Sequence, residues 1–173
     1  MKKFAWVVGS ALLLAACGGS QETRVPVALG SLVAPSSAPW LQVDPQDEPD
    51  VPVRGLDDAV TLTPTPSVSD VLQARLRHAL EPSYFTDLVV HCEQVSAEMR
   101  MDTEATPASI TLELGAHCTI NARGLGSNAT YHASPSMPAP AHADYAKALA
   151  SLLATGADDI ARQLRTDVDA TAH

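Results

Sequence analysis

His91-Cys92-Glu93 and His117-Cys118 place two imidazoles, two thiols and a carboxylate in two short stretches of the chain. Two thiols in an oxidising compartment pair as a disulfide. Histidines with a carboxylate are a zinc or copper ligand set. Which chemistry these residues perform depends on the direction of each side chain, and that direction is set by the strands carrying them.

Ile110 to Ala122 alternates without a break. Ile110, Leu112, Leu114, Ala116, Cys118, Ile120 and Ala122 are apolar, while Thr111, Glu113, His117, Thr119 and Asn121 between them are polar. Such alternation predicts a half-buried strand with one wet face. Phe85 to Met101 also reads as strand, but its phase changes partway. Leu88, Val90 and Cys92 share one parity; Val95, Ala97, Met99 and Met101 share the other. One extra residue near Glu93-Gln94 restores a common face, which predicts a β-bulge. Pairing Cys92 with Cys118 antiparallel then sets Val90 against Ile120, Leu88 against Ala122, Ala97 against Leu114, Met99 against Leu112 and Met101 against Ile110. Every apolar residue stays on one face, as a unique register requires. The connecting loop is Asp102 to Ser109.

In this register Cys92 and Cys118 point into the core as a cross-strand disulfide. A thiol on an apolar face is otherwise inert. His91, Glu93 and His117 point the other way, with Glu93 beside His117 and His91 diagonal to it. A third strand, Ser127 to Ser134, follows Arg123-Gly124-Leu125-Gly126. A type II′ turn on Gly124-Leu125 pairs Ile120 with Ala129, Cys118 with Tyr131 and Ala116 with Ala133. It also brings His132 opposite His117. Moving the turn one residue along keeps the same parity. His91, Glu93, His117 and His132 are thus the candidate zinc or copper ligands. The same residues also suit the wet face of a one-sided sheet, and ligand geometry decides between the two.

Two helices flank the strands. Ser67-Val68-Ser69-Asp70 is a capping box, Val68, Leu72, Leu76, Ala79 and Leu80 share a face, and Pro82 stops the helix, predicting about 68 to 81. After the break at Pro135 to Pro140, a longer helix is expected from about His142 to Asp169. Its stripe is Tyr145, Leu149, Leu152, Leu153, Ala157, Ile160, Leu164 and Val168. Gly156 within it marks a close approach to the sheet. Val25 to Leu32 and Ala59 to Thr63 are further strand candidates, the second leading into the first helix. The expected fold is α+β: a two-layer sandwich in the order β-α-β-β-β-α, an antiparallel meander with both helices on its apolar face. Residues 18 to about 66 are rich in Pro, Ser, Gly and acids, and most of this stretch reads as an extended tether.

Cys17 has a different context. Lys2 and Lys3 form a positive n-region, and Phe4 to Ala16 is apolar apart from Gly9 and Ser10, too short to span a bilayer. Leu14-Ala15-Ala16-Cys17 resembles the lipobox of bacterial lipoproteins. That resemblance implies cleavage before Cys17, diacylation of its thiol and acylation of the new amine. Gly18 in place of Asp implies, by the same analogy, transfer to the outer membrane of a Gram-negative bacterium, facing the periplasm. The expected organisation is a signal peptide over 1–16, a lipidated cysteine and tether over 17–58, and a periplasmic α/β domain over 59–173. The element order from Ala59 onward, with "VLQARLRHAL", is similar to small envelope-accessory lipoproteins: the auxiliary lipoproteins of ABC-type lipid transporters, and the YajG-type and penicillin-binding-protein-activator lipoproteins. The resemblance implies a partner in an envelope complex and assigns no functional residue.

Loss of Lys2 and Lys3 with the signal peptide leaves 9 basic against 20 acidic residues, a net charge of −11. With no basic run, nucleic acid is not an expected partner. Anionic headgroups repel the body, so the acyl chains must hold it. Aromatic residues are too few for a carbohydrate platform. Asp158 and Asp159 lie about 100° apart on a helix and do not converge as an acid/base couple. The sequence has no G-x-S-x-G, HExxH or phosphate-loop motif. The expectation is a non-enzymatic accessory or interaction protein without a cofactor. Its rival is a periplasmic binder of a metal or small ligand at His91, Glu93 and His117.

Overall fold

The computed structural model describes residues 22–33, 38–140 and 144–171; Cys17 and the expected signal peptide lie outside them. Ser67 Oγ accepts from the Asp70 amide at 3.1 Å and the Asp70 carboxylate accepts from the Ser67 amide at 3.0 Å. This closes the expected capping box at the start of α1 (Val68–Leu80). The two longest strands, β5 (Val89–Asp102) and β6 (Ser109–Ala122), form the central hairpin. They pair in the expected register, Cys92 with Cys118, Val90 with Ile120 and Met99 with Leu112, and the register shifts between Glu93 and Ser96. Gln94 sits there at φ 53°, so the bulge falls where the phase change placed it.

The wider sheet is mixed rather than an antiparallel meander. It has eight strands in the order β1-β4-β3-β5-β6-β7, with β2 also on β5 and β8 also on β6. β1 (Thr23–Ala28), β2 (Leu41–Val43) and β3 (Val51–Arg54) come from the stretch expected as tether, and β4 (Val60–Thr65) leads into α1 as expected. β1 runs parallel to β4, while β2 and β3 run parallel to the two halves of β5. The tether expectation gives way because Val25-Pro26-Val27 and Val51-Pro52-Val53 carry a period of two around their prolines. Val27, Val51 and Val53 are buried, and Pro26 faces solvent. Proline lacks a ladder donor but tolerates extended backbone at a sheet edge. β1 is such an edge, and β3 pairs with β5 only from Val53.

The third strand, β7 (Leu125–Ala133), is offset by two residues from the expected pairing. Ala122 pairs with Leu125, Cys118 with Ala129, Ala116 with Tyr131 and Leu114 with Ala133. The turn is therefore Arg123-Gly124, with φ of 52° and 79°. Positive φ at both central residues is the type I′ signature, which matches the twist of the flanking strands. The expected break at Pro135 to Pro140 contains a short strand, β8 (Ser136–Pro138), on the end of β6.

Helix α2 (Tyr145–Thr171) buries Leu149, Leu152, Leu153, Ala157, Ile160, Leu164 and Val168. Together with α1 it covers one sheet face, forming the two-layer α+β sandwich. A Cβ at Gly156 would lie 3.3 Å from both Leu114 Cδ2 and Pro135 Cγ, so this glycine sets how closely α2 approaches β6. Asp158 and Asp159 point to separate cations, Arg75 at 3.5 Å and Arg162 at 2.9 Å.

Candidate functional site

The sheet face away from the helices carries every candidate ligand. Cys92 and Cys118 turn inward, fully buried and disulfide-bonded, with Cα atoms 4.0 Å apart. Alternation therefore turns His91, Glu93 and His117 outward. Glu93 pairs directly with His117 across the hairpin. His91 is engaged elsewhere: its Nε2 lies 3.0 Å from Asp44 Oδ1, just beyond β2. Asp44 is fixed from two further sides. Its amide donates to the Cys92 carbonyl at 2.8 Å, and Gln42 Nε2 donates to its carboxylate at 3.0 Å. The His91 hydrogen bond holds the Asp44 carboxyl below the usual carboxylate range.

His117 Nδ1 lies 3.1 Å from Thr130 Oγ1. His132 is not opposite His117; the two-residue offset of β7 pairs it with Gly115 instead. Gly115 makes that crossing possible, because a Cβ there would lie 3.0 Å from Ser96 Oγ and 3.2 Å from His132 Nδ1. Glu93 and His117 are thus cross-strand neighbours, while His91 is held by Asp44 and His132 lies beside Gly115. Among the described residues no three His, Cys, Asp or Glu side chains converge as a metal-holding group.

A second polar feature of this face escaped the sequence reasoning. β2 leaves β5 after Val43, opposite Cys92, and β3 rejoins it at Val53, opposite Met99. Between them lies an open cleft of about 570 Å³, lined by Gln46, Asp50, Arg54, Glu98, Arg100 and Glu113 among others. Glu98 accepts from Arg100 Nη2 at 3.0 Å and lies 3.5 Å from Arg54 Nε; Arg100 Nε is 3.4 Å from Glu113. These exposed pairs each contribute at most about 1 kcal/mol. The available signal was that Glu98, Arg100 and Glu113 occupy successive outward positions of the two best-defined strands.

No family model matches the chain, and no curated protein matches it. Among solved structures, a minor lipoprotein from Acinetobacter baumannii is similar at 15% identity and a TM-score of 0.47, covering 79% of this chain and 94% of that one. An uncharacterized protein is similar at 16% identity and a TM-score of 0.47, covering 82% of this chain and 99% of that one.

Proposed function

We propose that this chain is a lipid-anchored envelope protein of the outer membrane, facing the periplasm, and that its α+β body is a non-enzymatic accessory of an envelope complex. The observation that carries this is Leu14-Ala15-Ala16-Cys17 behind Lys2, Lys3 and an apolar run of signal-peptide length. The buried Cys92–Cys118 disulfide supports an oxidising compartment. Among the described residues no helix is long and apolar enough to cross a membrane. Each buried methylene of an acyl chain contributes about 0.8 kcal/mol, so several chains on one cysteine hold the body firmly against its own charge.

Intact mass of the membrane-extracted protein tests the anchor. The expected species begins at Cys17, carries acyl mass and gains two hydrogens on reduction. A full-length or unacylated chain overturns the proposal. Crosslinking in intact cells tests the accessory role: the expected result is a discrete adduct with an envelope protein, and an active hydrolase in the purified chain overturns it.

A further inference from the structure

Trp40, Tyr84 and Phe85 gather at one end of the sheet although aromatic residues make up only 4% of the chain. The Trp40 and Tyr84 rings pack at 5.2 Å, and the Arg123 guanidinium lies 5.3 Å from the Phe85 ring centre. The Val90 amide donates to the Trp40 carbonyl at 2.7 Å, which fixes this group at the start of β5. The exposed large hydrophobic residues among the described ones are Tyr84 at 46%, Val89 at 47% and Leu125 at 63%, and all three belong to this end. Val89 shares the outward parity of His91, while Leu125 pairs with the buried Ala122 and takes the helix-side parity, so the exposed apolar residues wrap around this end of the sheet. Glu81 and Asp87 are exposed at the rim.

We infer that this end is a docking cap for an envelope protein presenting an apolar patch rimmed by Lys and Arg. The proposal rests on the lipid-anchored accessory function above and names the surface that function uses. Clustered exposed apolar and aromatic side chains mark protein or membrane contacts, and aromatic anchors dominate binding hot spots. The anchor separates the two. Thr23 is level with Val60, Val53 and Met99, at the other end of the sheet. From Met99 to Val89 is about 30 Å at roughly 3.3 Å per residue. Cys17 is six residues before Thr23, a reach of about 22 Å at most. Inserting the cap end-on into the bilayer would lift Thr23 beyond that reach, and the acidic rim is repelled by anionic headgroups. Two copies anchored in one leaflet extend the same way, so their caps do not meet end to end. Glu81 and Asp87 outnumber Arg123, whose guanidinium lies over the Phe85 ring, and with the −11 net charge they select a basic rim on the partner.

The test is site-specific photocrosslinking of the full chain in producing cells, with benzoylphenylalanine at Leu125, at Tyr84 and, for comparison, at Glu104 in the loop at the other end. The expected result is one protein adduct of the same mass from Leu125 and Tyr84 and none from Glu104. Val89→Asp removes the adduct while the chain stays membrane-bound and disulfide-bonded. The crosslinked partner segment, mapped by mass spectrometry, is apolar with flanking Lys or Arg. A lipid adduct, an adduct of dimer mass, a glycan adduct, equal yield from Glu104, or no adduct overturns the cap. Intact mass from the same cells reports Cys17 separately. An unacylated chain that still gives the Leu125 adduct overturns the anchor and leaves the cap standing.

Discussion

At Asp44 the hydrogen bond from His91 is the largest influence on how the carboxyl titrates, ahead of burial, which opposes it, and the Gln42 hydrogen bond, which adds to it. The His91 hydrogen bond lowers its pKa from the ordinary 3.8. A depressed folded-state value means that the pair stabilises the fold fully above pH 3.8, and that this is lost as pH falls through the lower folded value. Carbon-13 NMR of the carboxyl is expected to show a midpoint below 3.8 that returns toward 3.8 in His91→Ala; an unchanged midpoint in the variant would exclude the contact. Tyr131 is the second informative residue. Its hydroxyl donates to Asp167 at 2.6 Å, joining β7 to α2, and burial together with that carboxylate pushes its pKa above the usual phenol range. Removing a hydrogen bond to a charged acceptor costs about 2 kcal/mol. Urea unfolding of Tyr131→Phe should show a loss of that size at neutral pH.

Among the elements, the central hairpin holds the rest in place. It pairs with β2 and β3 on one side and β7 and β8 on the other, and the disulfide ties its two strands 26 residues apart in sequence. Opening a loop of that length in the unfolded chain corresponds to about 3.5 kcal/mol in the loop-entropy description. A paired Cys92→Ala, Cys118→Ala variant is therefore expected to lose that amount of unfolding free energy, read as a lower urea midpoint at unchanged slope, and reduction of the wild-type chain should reproduce it. Helix α2 depends on a different contact. Gly156 faces Leu114 and Pro135 at 3.3 Å from where a Cβ would stand. Gly156→Val overpacks this crossing and is expected to cost about 1–3 kcal/mol. Thermal unfolding that matched the wild type would show that the helix can retreat freely.

Over the whole molecule, charge and length act together. In the proposed cleaved form the body has a net charge of −11 and no basic run in its sequence to hold a membrane electrostatically. Cys17→Ala is therefore expected to appear in the soluble envelope fraction at both low and high salt; salt-dependent membrane retention would point to a second attachment. Because β1 begins at Thr23, the folded body starts only six residues after Cys17, in place of the long leash that the proline content suggested. With Cys17 acylated as proposed, so short a connection would keep the Thr23 end of the sheet near the membrane and the apolar end away from it.

Local pattern alone determined the capping box, both helices, the bulge and the Cys92–Cys118 register. Each follows from periodicity within one or two adjacent segments, where a slip of one residue would turn an entire apolar face to water. The same parity turned His91, Glu93 and His117 outward. Tertiary structure decided the rest, because those choices preserve parity or depend on distant partners. A two-residue shift of β7 leaves its faces unchanged, so only the Arg123-Gly124 turn and the grip of Asp167 on Tyr131 select it, and His132 moves away from His117 as a result. Asp44 reaches His91 across 47 positions of sequence. β1, β2 and β3 are short, β1 and β3 each carry a proline, and they become strands only because β4 and β5 offer them open edges.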